Sequence, residues 1–162
     1  MFHGTSGNDN MHAVAWSPDG KRLAYGGANA LVYIWNKMTK KLDFVFQGHL
    51  GEIWSIAWSP DGTRLASGSE DDTVQVWNGI TGGTFSTFRG HSIGVLSVAW
   101  SPDGRRIAFG SIDTTVQVWN VSTARPMLIY RGHTDIVLAL AWSPDSTEIA
   151  SASVDMRVWQ AS

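Results

Sequence analysis

The chain has 162 residues, a formal net charge of −2, nine tryptophans and no cysteine. That length suits one domain, and the lack of cysteine excludes disulfides and thiolate metal sites while fitting either a reducing or an oxidising compartment. Charges of both signs are mixed without a basic stripe, and no window approaches 18 consecutive apolar residues, so neither a nucleic-acid partner nor a membrane span is expected. Residues 1–10 lack the apolar core of a signal peptide, which leaves the cytoplasm as the expected location.

Taken in order, residues 12–16, 22–26, 31–35 and 42–46 read as four antiparallel strands, here a to d. Each is a short run of period-two hydrophobicity bounded by turn residues. The pattern repeats at 53–58, 64–68, 73–77 and 84–88, and again at 95–100, 106–110, 115–119 and 127–130. A fourth unit has strands at 137–142 and 148–152, then a shortened third strand ending at Trp159, and no strand d. The units span about 11–47, 48–89, 90–131 and 132–160, within one domain over 1–162. Trp16, Trp58, Trp100 and Trp142 stand 42 residues apart, as do Trp35, Trp77 and Trp119; Trp159 falls two residues early. Gly48-His49, Gly90-His91 and Gly132-His133 keep the same step. Only Trp54 lies outside this scheme.

A period in the low forties, a Gly-His start and a Trp closing the third strand resemble the WD40 repeat, in four copies over nearly the whole chain. The residue after that Trp is Asn36, Asn78, Asn120 or Gln160, so the Trp carries the match and the family's Asp does not. The resemblance implies an all-β propeller whose blades are four-stranded antiparallel sheets. The first blade is the most divergent: Gly7 replaces the His region, Tyr25 the strand-b Ser and Asn29 the turn Asp.

Ser, His and Asp within one unit invite a catalytic-triad reading. The family resemblance implies a structural one instead: a buried hydrogen-bonded tetrad of His49, Ser67, Asp71 and Trp77. Its counterparts are His133, Ser151, Asp155 and Trp159 in the fourth blade. In the third blade Phe109 takes the Ser place and leaves His91, Asp113 and Trp119; the first retains only Trp35. No catalytic or cofactor residue is expected, and the histidines lack the short ligand spacing of a metal site. The start of strand a, near the channel mouth in propellers, aligns His12, Trp54, Leu96 and Leu138. These suit a ring that grips a protein or peptide, flanked by Glu52, Glu70, Asp72, Ile93 and Asp135. The alternative is that they pack against adjacent blades and narrow the channel.

Four blades leave an apolar face bare at each end, and soluble monomers rarely expose apolar patches beyond roughly 300–600 Å². Closing on four would need about 90° per blade, whereas two chains give eight blades of about 45°. A homodimeric eight-bladed ring is therefore the expectation, with residues 1–4 completing the partner's fourth blade. The alternative is a piece of a longer propeller. The function expected is a non-catalytic interaction scaffold; its rival is a half-propeller segment detached from a larger signalling protein, with a structural role only.

Overall fold

Period-two alternation broken by Pro-Asp-Gly turns builds fifteen strands within residues 10–161, the residues that the computed structural model describes. The first sheet runs β1 (Met11–Trp16), β2 (Arg22–Gly27), β3 (Leu31–Asn36) and β4 (Lys41–Gln47) in that spatial order. The second runs β5 (Ile53–Trp58), β6 (Arg64–Ser69), β7 (Thr73–Asn78) and β8 (Thr84–Arg89). The third runs β9 (Val95–Trp100), β10 (Arg106–Ser111), β11 (Val116–Asn120) and β12 (Arg125–Tyr130). The fourth holds three strands among the described residues: β13 (Ala139–Trp142), β14 (Glu148–Ala152) and β15 (Met156–Gln160). Every pairing is antiparallel between sequence neighbours.

The a–b turns show why the repeat keeps Ser-Pro-Asp-Gly. Asp61 Oδ1 accepts from Ser59 Oγ at 2.6 Å and from the Thr63 amide at 3.0 Å, while Gly62 takes φ +69°. That left-handed conformation suits glycine. In the fourth sheet Ser146 holds the same position at φ 63°.

The cores lie between sheets. One cluster joins Ala24, Val32 and Ile34 of the first sheet to Ile53, Ile56 and Trp58 of the second. Another joins Val74 and Val76 to Val95, Val98 and Trp100. A third joins Val116 and Val118 to Val137 and Ile149. Each internal joint thus buries the facing sides of two neighbouring blades, as in other repeat architectures. Strands β1, β5, β9 and β13 touch in succession, so strand a of each blade lies innermost in the row.

One difference from the sequence reading has a local cause. Strand a of the fourth blade starts at Ala139, not at residue 137. The Val137 amide donates to the Ser111 carbonyl of the preceding blade at 3.0 Å, which takes it out of its own ladder. The fourth blade has no strand d among the described residues, and residues 1–4, expected to supply one in trans, lie outside them.

Candidate functional site

In the second blade, four tetrad positions converge beneath the b–c turn. β6 supplies Ser67 and β7 supplies Trp77, while the loops on either side bring His49 and Asp71 over them. The Trp77 indole N–H donates to Ser67 Oγ at 2.8 Å. His49 Nε2 lies 2.8 Å from Ser67 Oγ, and Nδ1 lies 2.9 Å from Asp71 Oδ2. An ionised Asp71 accepts only, so Nδ1 carries a proton and donates. In the neutral tautomer Nε2 then accepts from the Ser67 hydroxyl, and one unbroken relay runs from indole to carboxylate. Burial alone would push the Asp71 carboxyl up. Hydrogen bonds from His49, Thr73 and the Leu50 amide outweigh it and hold the group well below the usual carboxylate range.

Thr73 is a member that sequence reasoning missed. It is buried, and its hydroxyl donates to Asp71 Oδ1 at 2.6 Å. Thr115 repeats this in the third blade at 2.7 Å. The signal was present in the paired Asp-x-Thr of both b–c turns.

The other blades vary the theme. In the fourth, His133 Nε2 lies 2.6 Å from Ser151 Oγ and Nδ1 lies 2.7 Å from Asp155 Oδ1, while Trp159 donates to Ser151 at 3.1 Å. The hydrogen bond from His133 keeps the Asp155 carboxyl low. In the third, Phe109 supplies no hydroxyl. Trp119 turns its N–H to Gln117 Oε1 at 2.9 Å, a second residue missed from the sequence. His91 faces Asp113 Oδ2 at 2.8 Å and the Phe109 carbonyl at 3.2 Å. Both partners are acceptors, whereas His49 and His133 each face a hydroxyl at Nε2. In the first blade, stacked Tyr25 and Tyr33 rings, 5.0 Å apart, fill the space of the relay, and Asn29 Nδ2 donates to Tyr33 at 2.8 Å. None of this is built for nucleophilic attack: Ser67 and Ser151 are buried and their hydroxyls are engaged by indoles.

At the inner strands the geometry is of another kind. The β1–β2 ladder slips between Met11 and Ala13, and the β5–β6 ladder slips between Ile53 and Ser55. The residues inside these bulges are His12 and Trp54. In the third blade Leu96 occupies the same place, between Ser97 paired to Gly110 and Val95 paired to Ser111. A bulge re-aims the side chain it carries. The structure brings His12 and Trp54 together as stacked rings, 4.5 Å between centroids at 15°. Glu52 Oε2 holds His12 Nε2 at 3.0 Å. Trp54 remains 37% exposed. Leu96 is half-buried and Leu138 is 57% exposed. Around them Glu70, Ile93 and Asp135 are exposed, and Asp72 accepts the Gly94 amide at 2.6 Å. The His12–Trp54 pair is thus a partly exposed aromatic surface with a carboxylate beside it. Among the described residues no cluster of three or more His, Asp or Glu converges as a metal site, and no helix is long and apolar enough to cross a membrane.

Over 55 residues the chain is 34% identical to the U5 small nuclear ribonucleoprotein 40 kDa protein of Homo sapiens, covering 33% of this chain and 15% of that protein. The Dictyostelium discoideum protein of the same name is 37% identical over 54 residues, again covering 15% of its length. A chain in the crystal structure of a mitotic checkpoint complex superposes with a TM-score of 0.89 at 29% identity, over 97% of this chain and 49% of that one. The chain therefore spans about half of that solved chain and a small part of the curated relatives. The WD domain, G-beta repeat model matches residues 2–36, 40–78, 82–120 and 124–160. Each matched segment after the first begins one or two residues before strand d of one blade and ends on strand c of the next, so repeat and blade are offset by one strand. Every strand falls inside these segments, and the chain belongs to the WD40 family.

Proposed function

We propose that this protein is a non-catalytic protein-interaction scaffold whose half-ring of four blades is completed to eight by a second copy. The observation that carries the interaction reading is the His12–Trp54 stack. It is an aromatic pair raised by two bulges, pinned by Glu52 and left open at the inner strands. Rigid, partly exposed aromatic anchors of this kind dominate binding energy at protein interfaces. The family supports it, since the relatives' names place them in a ribonucleoprotein and in a checkpoint complex. The partner is a protein or peptide. The tetrads hold the b–c turns in place and take no part in binding.

Selection of displayed peptides on the wild-type protein, followed by rebinding to W54A, tests this. Peptides lost on W54A, with mass and circular dichroism unchanged, support the mouth as the site. Peptides indifferent to W54A overturn it, and unfolding of W54A would make Trp54 a packing residue. A second reading is favoured by the 49% coverage of the solved chain: a half-propeller segment whose missing blades belong to a larger protein. Light scattering separates the two, since a two-copy ring has twice the 17.7 kDa chain mass.

A further inference from the structure

The blades are near copies, so the places where the two end faces depart from the copies are informative. Two contacts recur at every internal joint, and a third at two of the three. First, the Trp ending strand a donates its indole N–H backward: Trp58 to the Ala15 carbonyl at 3.2 Å, Trp100 to Ala57 at 3.1 Å and Trp142 to Ala99 at 3.1 Å. Second, a strand-b glycine is capped by a β-branched residue of the next blade. A Cβ on Gly26 would lie 3.3 Å from the Ile53 Cβ, one on Gly68 2.8 Å from a Val95 methyl, and one on Gly110 2.6 Å from a Val137 methyl. Third, an arginine opening strand b reaches the residue two past the next blade's strand-c Trp. Arg22 donates to the Gly79 carbonyl at 2.9 Å and Arg106 to the Ala161 carbonyl at 3.0 Å. At the middle joint Arg64 lies instead over the Phe85 ring, 4.0 Å from its centroid.

Among the described residues, the two end faces carry the same positions with changed residues. Trp16 is 53% exposed, against 8% for both Trp58 and Trp100, and Ala141, the matching acceptor, is exposed. The glycine position of the fourth blade is Ala152, and the capping position of the first is the unbranched Met11. The arginine position of the fourth blade is Glu148, and the residue two past Trp35 is Lys37. The backbone confirms this last alignment, because Lys37, Gly79, Val121 and Ala161 all donate to the residue before the strand-b opener. Around Ala141 and Ala152 lies a shallow apolar hollow of about 160 Å³, edged by Met156. Met156 is 70% and Val158 58% exposed.

Both changes are reciprocal. An added Cβ at residue 152 would crowd a β-branched cap, and Met11 places no branch there. Glutamate replaces arginine on the trailing face, and the leading face offers lysine where the internal joints have Gly79, Val121 and Ala161. We propose that the trailing face of the fourth blade receives the leading face of the first blade of a second copy, with Glu148 paired to Lys37, Met11 seated over Ala152, and the Trp16 indole donating to the Ala141 carbonyl. This inference rests on the two-copy closure proposed above. It also explains how such uniform blades choose one register. The closing joint alone has this charge and shape, so a loose blade face meeting an internal one finds the wrong partner.

The test is a charge swap read by sedimentation across a dilution series, with circular dichroism reporting the fold of each blade set. K37E and E148K each put like charges at both joints of a homodimer. Each is expected to weaken the dimer by roughly a hundredfold, about tenfold per joint. Mixed together, the two variants match opposite charges at both joints, and the heterodimer should regain near wild-type affinity. The double variant K37E/E148K should regain it too. A monomeric wild type would overturn the closure itself. A dimeric wild type whose single variants dimerise equally well would overturn this joint and leave the closure standing. Weakened single variants that mixing fails to restore would likewise overturn the pairing. Independently, M11I should weaken the dimer and A152G should rescue it, since the pair then copies Gly26 and Ile53.

Discussion

Replacing Ser67 by alanine isolates the relay in the second blade. The hydroxyl serves two buried groups, the Trp77 indole and His49 Nε2, both at 2.8 Å. Trp77 is 2% exposed and the His49 side chain 0%, so water cannot substitute at either. An unsatisfied buried polar group costs about 1–3 kcal/mol, and the void left by one oxygen adds little. With some relaxation of the His49 ring, a loss of about 2–4 kcal/mol follows. For a chain of this size that corresponds to roughly 5–15 °C in melting temperature. S151A makes the internal comparison. Ser151 has the same partners, but Trp159 is half-buried and the Asp155 side chain is 39% exposed, so water can reach the relay. Its loss should cost about 1 kcal/mol. Urea unfolding followed by tryptophan fluorescence gives both values, and indole N–H exchange of Trp77 shows whether the opening is local. S67A within about 0.5 kcal/mol of wild type, or S151A costing more than S67A, would refute the relay as a buried, water-excluded network.

Gln117→Leu should cost about 1–3 kcal/mol, because it strands the Trp119 indole, whereas Gln75→Leu should cost less, because Trp77 keeps Ser67; the same urea titrations decide it. Acid should weaken the fold in a defined direction. The carboxyls of Asp71, Asp113 and Asp155 are held below their ordinary value, and Asp145 is lowered to about 2 by Ser143 and Thr147. A depressed folded-state value means the stabilisation is fully present above the unfolded carboxylate range, about pH 4, and is lost as pH falls below it. The urea midpoint should be level from pH 7 to 5 and drop by pH 3, with a smaller drop in D71N. A midpoint unchanged at pH 3 would refute the assignment.

Much of the fold was legible because its causes are local. Strand alternation, the Ser-Pro-Asp-Gly turns and the 42-residue step all act within a few residues, and the resulting sheets match them closely. The relay positions in the second and fourth blades were expected from the family resemblance, and there His, Ser, Asp and Trp lie within hydrogen-bond distance of one another. What repetition could not show is how a side chain responds when its partner changes. Phe109 removes a hydroxyl, and Trp119 finds Gln117, two residues away on its own strand. Tyr25 and Tyr33 replace a polar relay with a ring stack because both fit the same gap.

At the inner strands the sequence aligned the residues, and the tertiary structure decided how they meet. The chain places His12 and Trp54 in equivalent positions of adjacent blades, but a ladder slip in each sheet, together with the docking of the two blades, is needed to stack them. The end faces divide in the same way. The letters Lys37, Glu148, Met11 and Ala152 are plain in the sequence, and each is an ordinary residue in isolation. Only the internal joints reveal what those positions touch, because contacts between blades join residues some 40 to 60 apart and depend on how sheets pack rather than on local propensity. Local sequence specified strands, turns and repeat; packing between sheets decided which copies of each position became core and which became surface.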